Sequence, residues 1–262
     1  MFDPFITSRA VHFASSLVVG GVAIFSALIV GSINTTSFPV RRIEQLLFLA
    51  LAIAVLSGAT WLLLLAARIA QSSVAAVIDD GTAWSVLTET QFGRVWAGRF
   101  LIAILLFCVG LVGPGLGPGG LRLTSLRAAL AVLFAGMLAW SGHAAGGTGF
   151  GGLLHFGGDA LHLITATAWV GGLLPLLMFV GPRTRSSEPP LAECYKVLRR
   201  FSALAAWSVA VLAATGALNT WFMTNELRSF LGTEHGDLVL VKIALFLDML
   251  GFGAANRYWF TP

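Results

Sequence analysis

Charged residues are scarce in this chain of 262 residues. Asp, Glu, Lys and Arg make up 11% of it, hydrophobic residues make up 57%, and the mean hydropathy is +0.86. A soluble domain usually carries about 25% charged residues, so this chain could not cover its surface with polar groups in water. We therefore expect a lipid bilayer as its solvent and an all-α, polytopic transmembrane helix bundle as its fold.

Cysteine and nucleotide-binding motifs are also sparse. The two cysteines, Cys108 and Cys194, have no partner at metal-ligand spacing, so no disulfide framework is indicated. The glycine-rich run at 113–120 lacks the Gly-Lys-Ser/Thr ending of a P-loop. The net charge of +4 comes from basic residues scattered in short loops and predicts no nucleic-acid partner. We expect no catalytic residues, and we predict that the protein is not an enzyme.

Seven apolar stretches are long enough, or nearly so, to cross a bilayer, which takes about 20 residues. They cover residues 10–33, 46–67, 95–112, 126–141, 153–181, 203–222 and 238–255. No basic segment precedes the first stretch, which predicts a retained helix rather than a cleaved signal peptide. Because no linker is long enough to separate two domains, residues 1–262 are predicted to form a single integral membrane domain.

The loop charges predict how these spans are oriented. Basic residues concentrate in the first, third and fifth loops, whereas the second and sixth loops are mainly acidic. Loops rich in Lys and Arg stay on the cytoplasmic side of a membrane. The odd-numbered loops are therefore predicted to be cytoplasmic, and the N-terminus is predicted to lie outside.

A weak internal repeat relates spans one to three to spans five to seven. Three pairs of motifs recur in the same order: AVH (10–12) and ALH (160–162), each followed by a Gly-Gly pair; SGA (57–59) and TGA (215–217); and TxxGx5R (90–99) and TxxGx5K (233–242). Spans one and five share an orientation, so the repeat is predicted to be parallel. Its halves cover about 9–141 and about 153–262.

Ionisable side chains cluster towards the outer ends of these spans, where they are candidates for function. His155, Asp159 and His162 are spaced i, i+4 and i+7, so they share one helix face over roughly 10 Å. His143 follows the fourth span, and His12 is the repeat counterpart of His162. Imidazole binds copper, zinc, iron and nickel, and a carboxylate can orient a ligating histidine. These five residues are predicted to form a metal-handling cluster open to the outer face.

Three other interpretations stay open at this point. The histidines could simply hydrogen-bond to neighbouring helices. Asp159 could be the ion-pair partner of Arg99 or Lys242, which lie near the outer ends of their spans. His12 and His162 could instead be axial ligands of a b-type haem, because the repeat places them at similar depth; the protein would then transfer electrons.

Several short motifs are together similar to those of one known family. They are TQFGRVW (90–96) with Arg99, GHA (142–144), DALH (159–162), AWVGGL (168–173) and TGALN (215–219), followed by Thr233, Gly236 and Lys242. They resemble the copper-resistance protein D family of bacterial inner-membrane proteins.

The resemblance implies a multi-pass inner-membrane protein with a plan of eight helices, so the outside N-terminus predicted from the loop charges would be periplasmic. It also implies transport or handling of Cu(I) or Cu(II) across the inner membrane, in support of copper resistance or uptake. The implied partners are the lipid bilayer, copper and a periplasmic copper-binding protein of the CopC type. Two features depart from the family. His235 stands where the family usually has tyrosine, and the sequence stops at Pro262, where the family's eighth helix would be expected after Arg257.

Overall fold

The computed structural model describes residues 3–31, 38–112, 118–141, 149–181, 191–223 and 233–255. Within these ranges the chain is helical and has no β-strand. The helices are α1 (Pro4–Phe25), α2 (Phe38–Ala70), α3 (Val74–Asp79), α4 (Thr82–Glu89), α5 (Gln91–Leu111), α6 (Pro118–Gly136), α7 (Gly149–Ala166), α8 (Gly172–Val180), α9 (Leu191–Met223) and α10 (Glu234–Ala255). Two π-helical turns adjoin these helices: Ser26–Val30 extends α1, and Thr167–Gly171 joins α7 to α8. A 3-10 turn, Met137–Ser141, extends α6.

Seven helical spans are long and apolar enough to cross a membrane, which confirms the predicted fold class. They are Pro4–Val30, Arg41–Ala70, Gln91–Leu111, Arg122–Ser141, Gly149–Val180, Leu191–Phe222 and Gly236–Ala255. The fifth span includes α7, the π-helical turn and α8. Many large apolar side chains on these spans are exposed, as expected for surfaces that contact lipid.

The helix ends differ from the predicted ones because local capping, rather than apolar run length, decides them. The first span begins at Pro4, where the side chain of Asp3 accepts the amide N–H of Phe5 at 2.9 Å. Aspartate as N-cap and proline at the first helical position are a strong helix start. Arg68, at the end of α2, lies 2.5 Å from Asp3 and holds the pKa of that carboxyl below its usual range.

Two features of the fold went unpredicted. The second loop contains α3 and α4, whose apolar residues Val77 and Val86 are buried in the core, although both helices are too short to span a bilayer. Helix α9 begins at Leu191, so three basic residues of the predicted fifth loop, Lys196, Arg199 and Arg200, lie on a helix.

The chain divides into two compact units, Met1–Gly216 and Ala217–Pro262. In the first unit, α1 is the central helix and packs against α2, α6 and α8. A buried ion pair joins α2 to α6, where both guanidinium nitrogens of Arg127 bond the carboxylate of Glu44, at 3.1 and 2.5 Å. The second unit contains the end of α9 and all of α10, whose first turn is capped by Thr233.

Helix α1 crosses the fifth span at a pair of glycines. A Cβ atom on Gly21 would overlap the backbone of Gly171, and one on Gly171 would overlap the carbonyl oxygen of Leu17. Only glycine permits so close an approach of two helix backbones. Both residues belong to the repeated Gly-Gly pairs, so this part of the repeat is a helix contact.

The π-helical turn before α8 accounts for an irregularity in the repeat. One residue more separates His162 from Gly171 than separates His12 from Gly20. A π-helical turn accommodates such an extra residue within a continuous helix, because its hydrogen bonds join residues five apart instead of four. The following Pro175 has no N–H to donate to the carbonyl of Gly171, so regular α-helical bonding is interrupted there as well.

Candidate metal site

Three of the predicted ligands lie on α7, as their spacing requires. His155, Asp159 and His162 are all partly buried, and Asp159 interacts electrostatically with both histidines. The helix therefore presents an imidazole, a carboxylate and a second imidazole in sequence along one face.

The ring of His162 is held by Thr215 on α9. Its Nδ1 lies 2.9 Å from Oγ1 of Thr215, and that hydroxyl donates to the carbonyl of Val211 at 2.7 Å. A hydroxyl has one hydrogen, so Oγ1 accepts from the ring and Nδ1 carries the ring proton. The lone pair of His162 is then on Nε2, the atom that a metal would use.

His12 occupies a different environment, buried on α1 with 2% of its surface exposed. Its Nδ1 lies 2.8 Å from the carbonyl oxygen of Ala54 and 3.4 Å from Oγ of Ser57, so Nδ1 carries the ring proton. The indole rings of Trp61 and Trp96 pack around the imidazole, with centroid distances of 5.8 and 5.4 Å.

The guanidinium of Arg99 engages the other nitrogen of His12. Nη2 of Arg99 lies 2.9 Å from Nε2 of His12 and 3.1 Å from Oγ of Ser16, and Nη1 donates to the carbonyl of Phe134. Arg99 is 2% exposed, and its charge lies 4.0 Å from the ring centroid of Phe134. Since a guanidinium only donates, Nε2 must be the acceptor, and its lone pair is used within the protein.

This arrangement bears on the predicted pairing of Asp159 with Arg99. The guanidinium of Arg99 contacts an imidazole, a hydroxyl and a carbonyl, and none of these groups belongs to Asp159. His12 thus takes the position beside Arg99 that the sequence suggested for a carboxylate.

The predicted five-residue cluster is only partly visible. His143 lies outside the described residues, and His12 is bonded to α2 and α5 rather than to the α7 ligands. Among the residues that the structure does describe, no three His, Cys, Asp or Glu side chains come together closely enough to hold a metal ion. The His/Asp cluster therefore stays a prediction.

The Thr-x-x-Gly motif, in contrast, has a structural role in both halves. Thr90 accepts the amide N–H of Gly93 at 2.9 Å, and Thr233 accepts that of Gly236 at 3.1 Å, so each threonine caps a helix. A Cβ atom on Gly93 would overlap the carbonyl of Val86 at the end of α4. The motif fixes how α5 begins rather than supplying a ligand.

Sequence reasoning missed the hydroxyl partners of the two histidines. Ser57 approaches His12 and Thr215 approaches His162, and these hydroxyls open the repeated SGA and TGA motifs. The sequence did contain a signal for these contacts, because the repeat aligns the SGA motif with the TGA motif and His12 with His162. A contact between them depends on how the helices rotate, which the motifs alone do not state.

The fold and these contacts define a polytopic helical membrane protein with a repeated histidine–hydroxyl contact. Residues 1–153 match the family description "Copper resistance protein D-like, N-terminal domain", and residues 195–262 match "Copper resistance protein D". The chain belongs to the copper resistance protein D family.

Three relatives illustrate the likeness. The chain is 30% identical to "Inner membrane protein YebZ" of Escherichia coli over 98% of its own length and 84% of that protein. It is 26% identical to "Copper resistance protein D" of Pseudomonas syringae pv. tomato, over 68% of this chain and 56% of the other. It is 32% identical to "Copper transport protein CutJ" of Bacillus subtilis, over 65% of this chain and 31% of that larger protein. No solved structure matches the chain.

Proposed function

We propose that this protein transports or hands over copper ions at the bacterial inner membrane, in support of copper resistance or uptake. Membership of the copper resistance protein D family supports this function, as do the names of two relatives, a copper resistance protein and a copper transport protein. The name of the Escherichia coli relative supports the inner membrane as the location.

The proposal rests chiefly on the tautomer and the fixed orientation of the His162 ring. With the proton on Nδ1, its Nε2 has the lone pair that a copper ion requires, and Thr215 fixes the ring. Asp159 and His155 continue the same face towards the start of α7. Three groups spread over roughly 10 Å cannot all bind one ion, so copper passes between neighbouring pairs of ligands.

The route begins at the periplasmic face in this proposal. His143 and His155 receive the ion, and Asp159 and His162 take it deeper into the membrane. The loop charges support an outward-facing N-terminus, which would put the start of α7 on the periplasmic side. A soluble periplasmic copper-binding protein of the CopC type is the proposed donor or acceptor.

His12 joins this route only if Arg99 withdraws. In the observed arrangement, the lone pair of Nε2 accepts from a guanidinium, so the ring has no lone pair left for a metal. The same contact weighs against the haem alternative, which requires Nε2 of His12 as an axial ligand.

The test is elemental analysis of full-length protein purified in detergent from cells grown with added copper. We expect copper at about one per chain or more and little iron in the wild type, and less copper in His155→Gln and His162→Gln. Leu161→Ala, an exposed position on the same helix, is the matched control and should bind copper like the wild type. Iron near one per chain would instead support haem, and neither metal in the wild type would contradict copper handling.

A further inference from the structure

A buried threonine is positioned to control the candidate copper ligand. Resting on the copper function proposed above, we propose that Thr215 is the positioning residue of this site. It fixes His162 in the tautomer with the proton on Nδ1, and so presents Nε2 to copper. Thr215 would not touch the ion; it acts through the ring.

The hydroxyl of Thr215 can only accept a hydrogen bond from the histidine, because its own hydrogen is already donated elsewhere. Its hydrogen points to the carbonyl of Val211, at 2.7 Å, within the same helix. Oγ1 then faces Nδ1 of His162 at 2.9 Å as an acceptor. Thr215 is 6% exposed, so water does not compete strongly for this contact. A protonated Nε2 would place two lone pairs against each other at that distance, which disfavours the other tautomer.

The first half of the chain contains a related histidine–hydroxyl contact, in which Nδ1 of His12 also lies 2.8 Å from the carbonyl of Ala54. Oγ of Ser57 donates to the carbonyl of Ile53 at 2.6 Å and lies 3.4 Å from Nδ1 of His12. Nε2 of His12 then accepts from the positively charged Arg99. Both histidines therefore have a hydroxyl oxygen facing Nδ1, and the two hydroxyl residues belong to motifs that the repeat relates.

The two histidines can be compared by the direction in which each Nε2 lone pair points. In the first half, the carbonyl of Ala54 at 2.8 Å fixes the proton on Nδ1 of His12, with the hydroxyl of Ser57 nearby, and the Nε2 lone pair faces a cationic group of the protein. In the second half, the same tautomer provides the Nε2 lone pair of His162 for a cationic metal. Gly58 and Gly216, which follow the two hydroxyl residues, each lie beside Cε1 of the ring, so the rings also rest on equivalent parts of their neighbouring helices.

The first experiment compares copper affinity in Thr215→Val and Thr215→Ser. Purified full-length protein competes with a chromophoric Cu(I) chelator. Valine keeps the shape of threonine but removes the hydroxyl, so we expect copper binding about tenfold or more weaker, as for lost partners of metal-bound histidines. Serine keeps the hydroxyl and should restore the affinity. Ser208→Ala is the control, because it removes another buried hydroxyl two turns earlier on α9.

The second readout is the tautomer itself, measured by nitrogen NMR of protein labelled at histidine, with His162→Gln to assign the signal. We expect an Nδ1-protonated ring in the wild type and in Thr215→Ser, and a shift towards Nε2 protonation in Thr215→Val. A Thr215→Val protein with wild-type copper affinity or an unchanged tautomer overturns the inference alone. A wild type that binds no copper overturns the copper function, and the role of Thr215 in it, even where the NMR signal confirms the tautomer.

Discussion

At the scale of single residues, His12 and His162 show how one residue type can stand in two different environments at positions that the repeat relates. His12 is enclosed by two tryptophans and bonded at both ring nitrogens. His162 is partly exposed and has its Nδ1 bonded to a hydroxyl. At His12, the guanidinium of Arg99 reaches Nε2. A charged side chain this deeply buried needs such acceptors, because its donors would otherwise be unsatisfied in a region of low dielectric.

This difference predicts that His12 matters for stability. His12→Ala would remove one of the two acceptors of Nη2 of Arg99, leaving one of its N–H groups unsatisfied beside the remaining bond to Ser16, and open a cavity beside Trp61 and Trp96. An unsatisfied buried donor costs about 1–3 kcal/mol, more when it is charged, and the cavity adds to this. We expect the free energy of unfolding to fall by at least about 2 kcal/mol, measured by circular dichroism during titration of the detergent-solubilised protein with SDS.

The matched control is His155→Ala on the more accessible face of α7, where we expect a much smaller loss of stability. Equal stabilities for His12→Ala and the wild type would show that the contact with Arg99 contributes little. A His12→Ala protein that folds normally but loses its copper would return His12 to the metal site.

At the scale of helices, the crossing of α1 with the fifth span depends on the absence of side chains. A methyl group on Gly21 would overlap the backbone of Gly171, which cannot move aside as a flexible side chain could. Overpacking of this kind typically costs about 1–3 kcal/mol. We expect Gly21→Ala to lower stability by that amount, measured in the same SDS titration.

Gly157, in the middle of α7, provides the control for that substitution. No atom lies within 4 Å of a Cβ built there. Alanine is preferred over glycine in helices by up to about 1 kcal/mol, so Gly157→Ala should leave the protein as stable as the wild type or slightly more so. If both alanine variants behave alike, helix propensity rather than the close crossing decides the effect.

The helices also show how far the sequence alone could lead. All seven spans were predictable, because a bilayer imposes a minimum length of apolar helix that composition reveals directly. The partner of Arg99 was not, since it is 87 residues away and depends on the rotation of α1 against α5. The alignment of His155, Asp159 and His162 followed from helix geometry. The cap that Thr90 provides is a local contact within its motif, whereas the close packing of Gly93 against α4 depends on the fold.

At the scale of the whole molecule, orientation determines which compartment meets the histidine face. α1 begins and α2 ends at the same end of the bundle, where Arg68 pairs with Asp3, and the loop after α2 lies at that end too. The basic residues at the opposite end of α2 include Arg41 and Arg42. Since basic loops stay in the cytoplasm, residues between α2 and α3 should be periplasmic.

Cysteine labelling in spheroplasts tests that orientation. In a background with Cys108→Ala and Cys194→Ala, we expect Ser72→Cys to react with a membrane-impermeant maleimide in intact spheroplasts, because Ser72 is exposed between α2 and α3. Arg41→Cys, exposed at the other end of α2, should react only after the membrane is permeabilised. The opposite pattern would place the start of α7 in the cytoplasm. Copper would then reach His155 from inside the cell, and a periplasmic donor protein could not deliver it there.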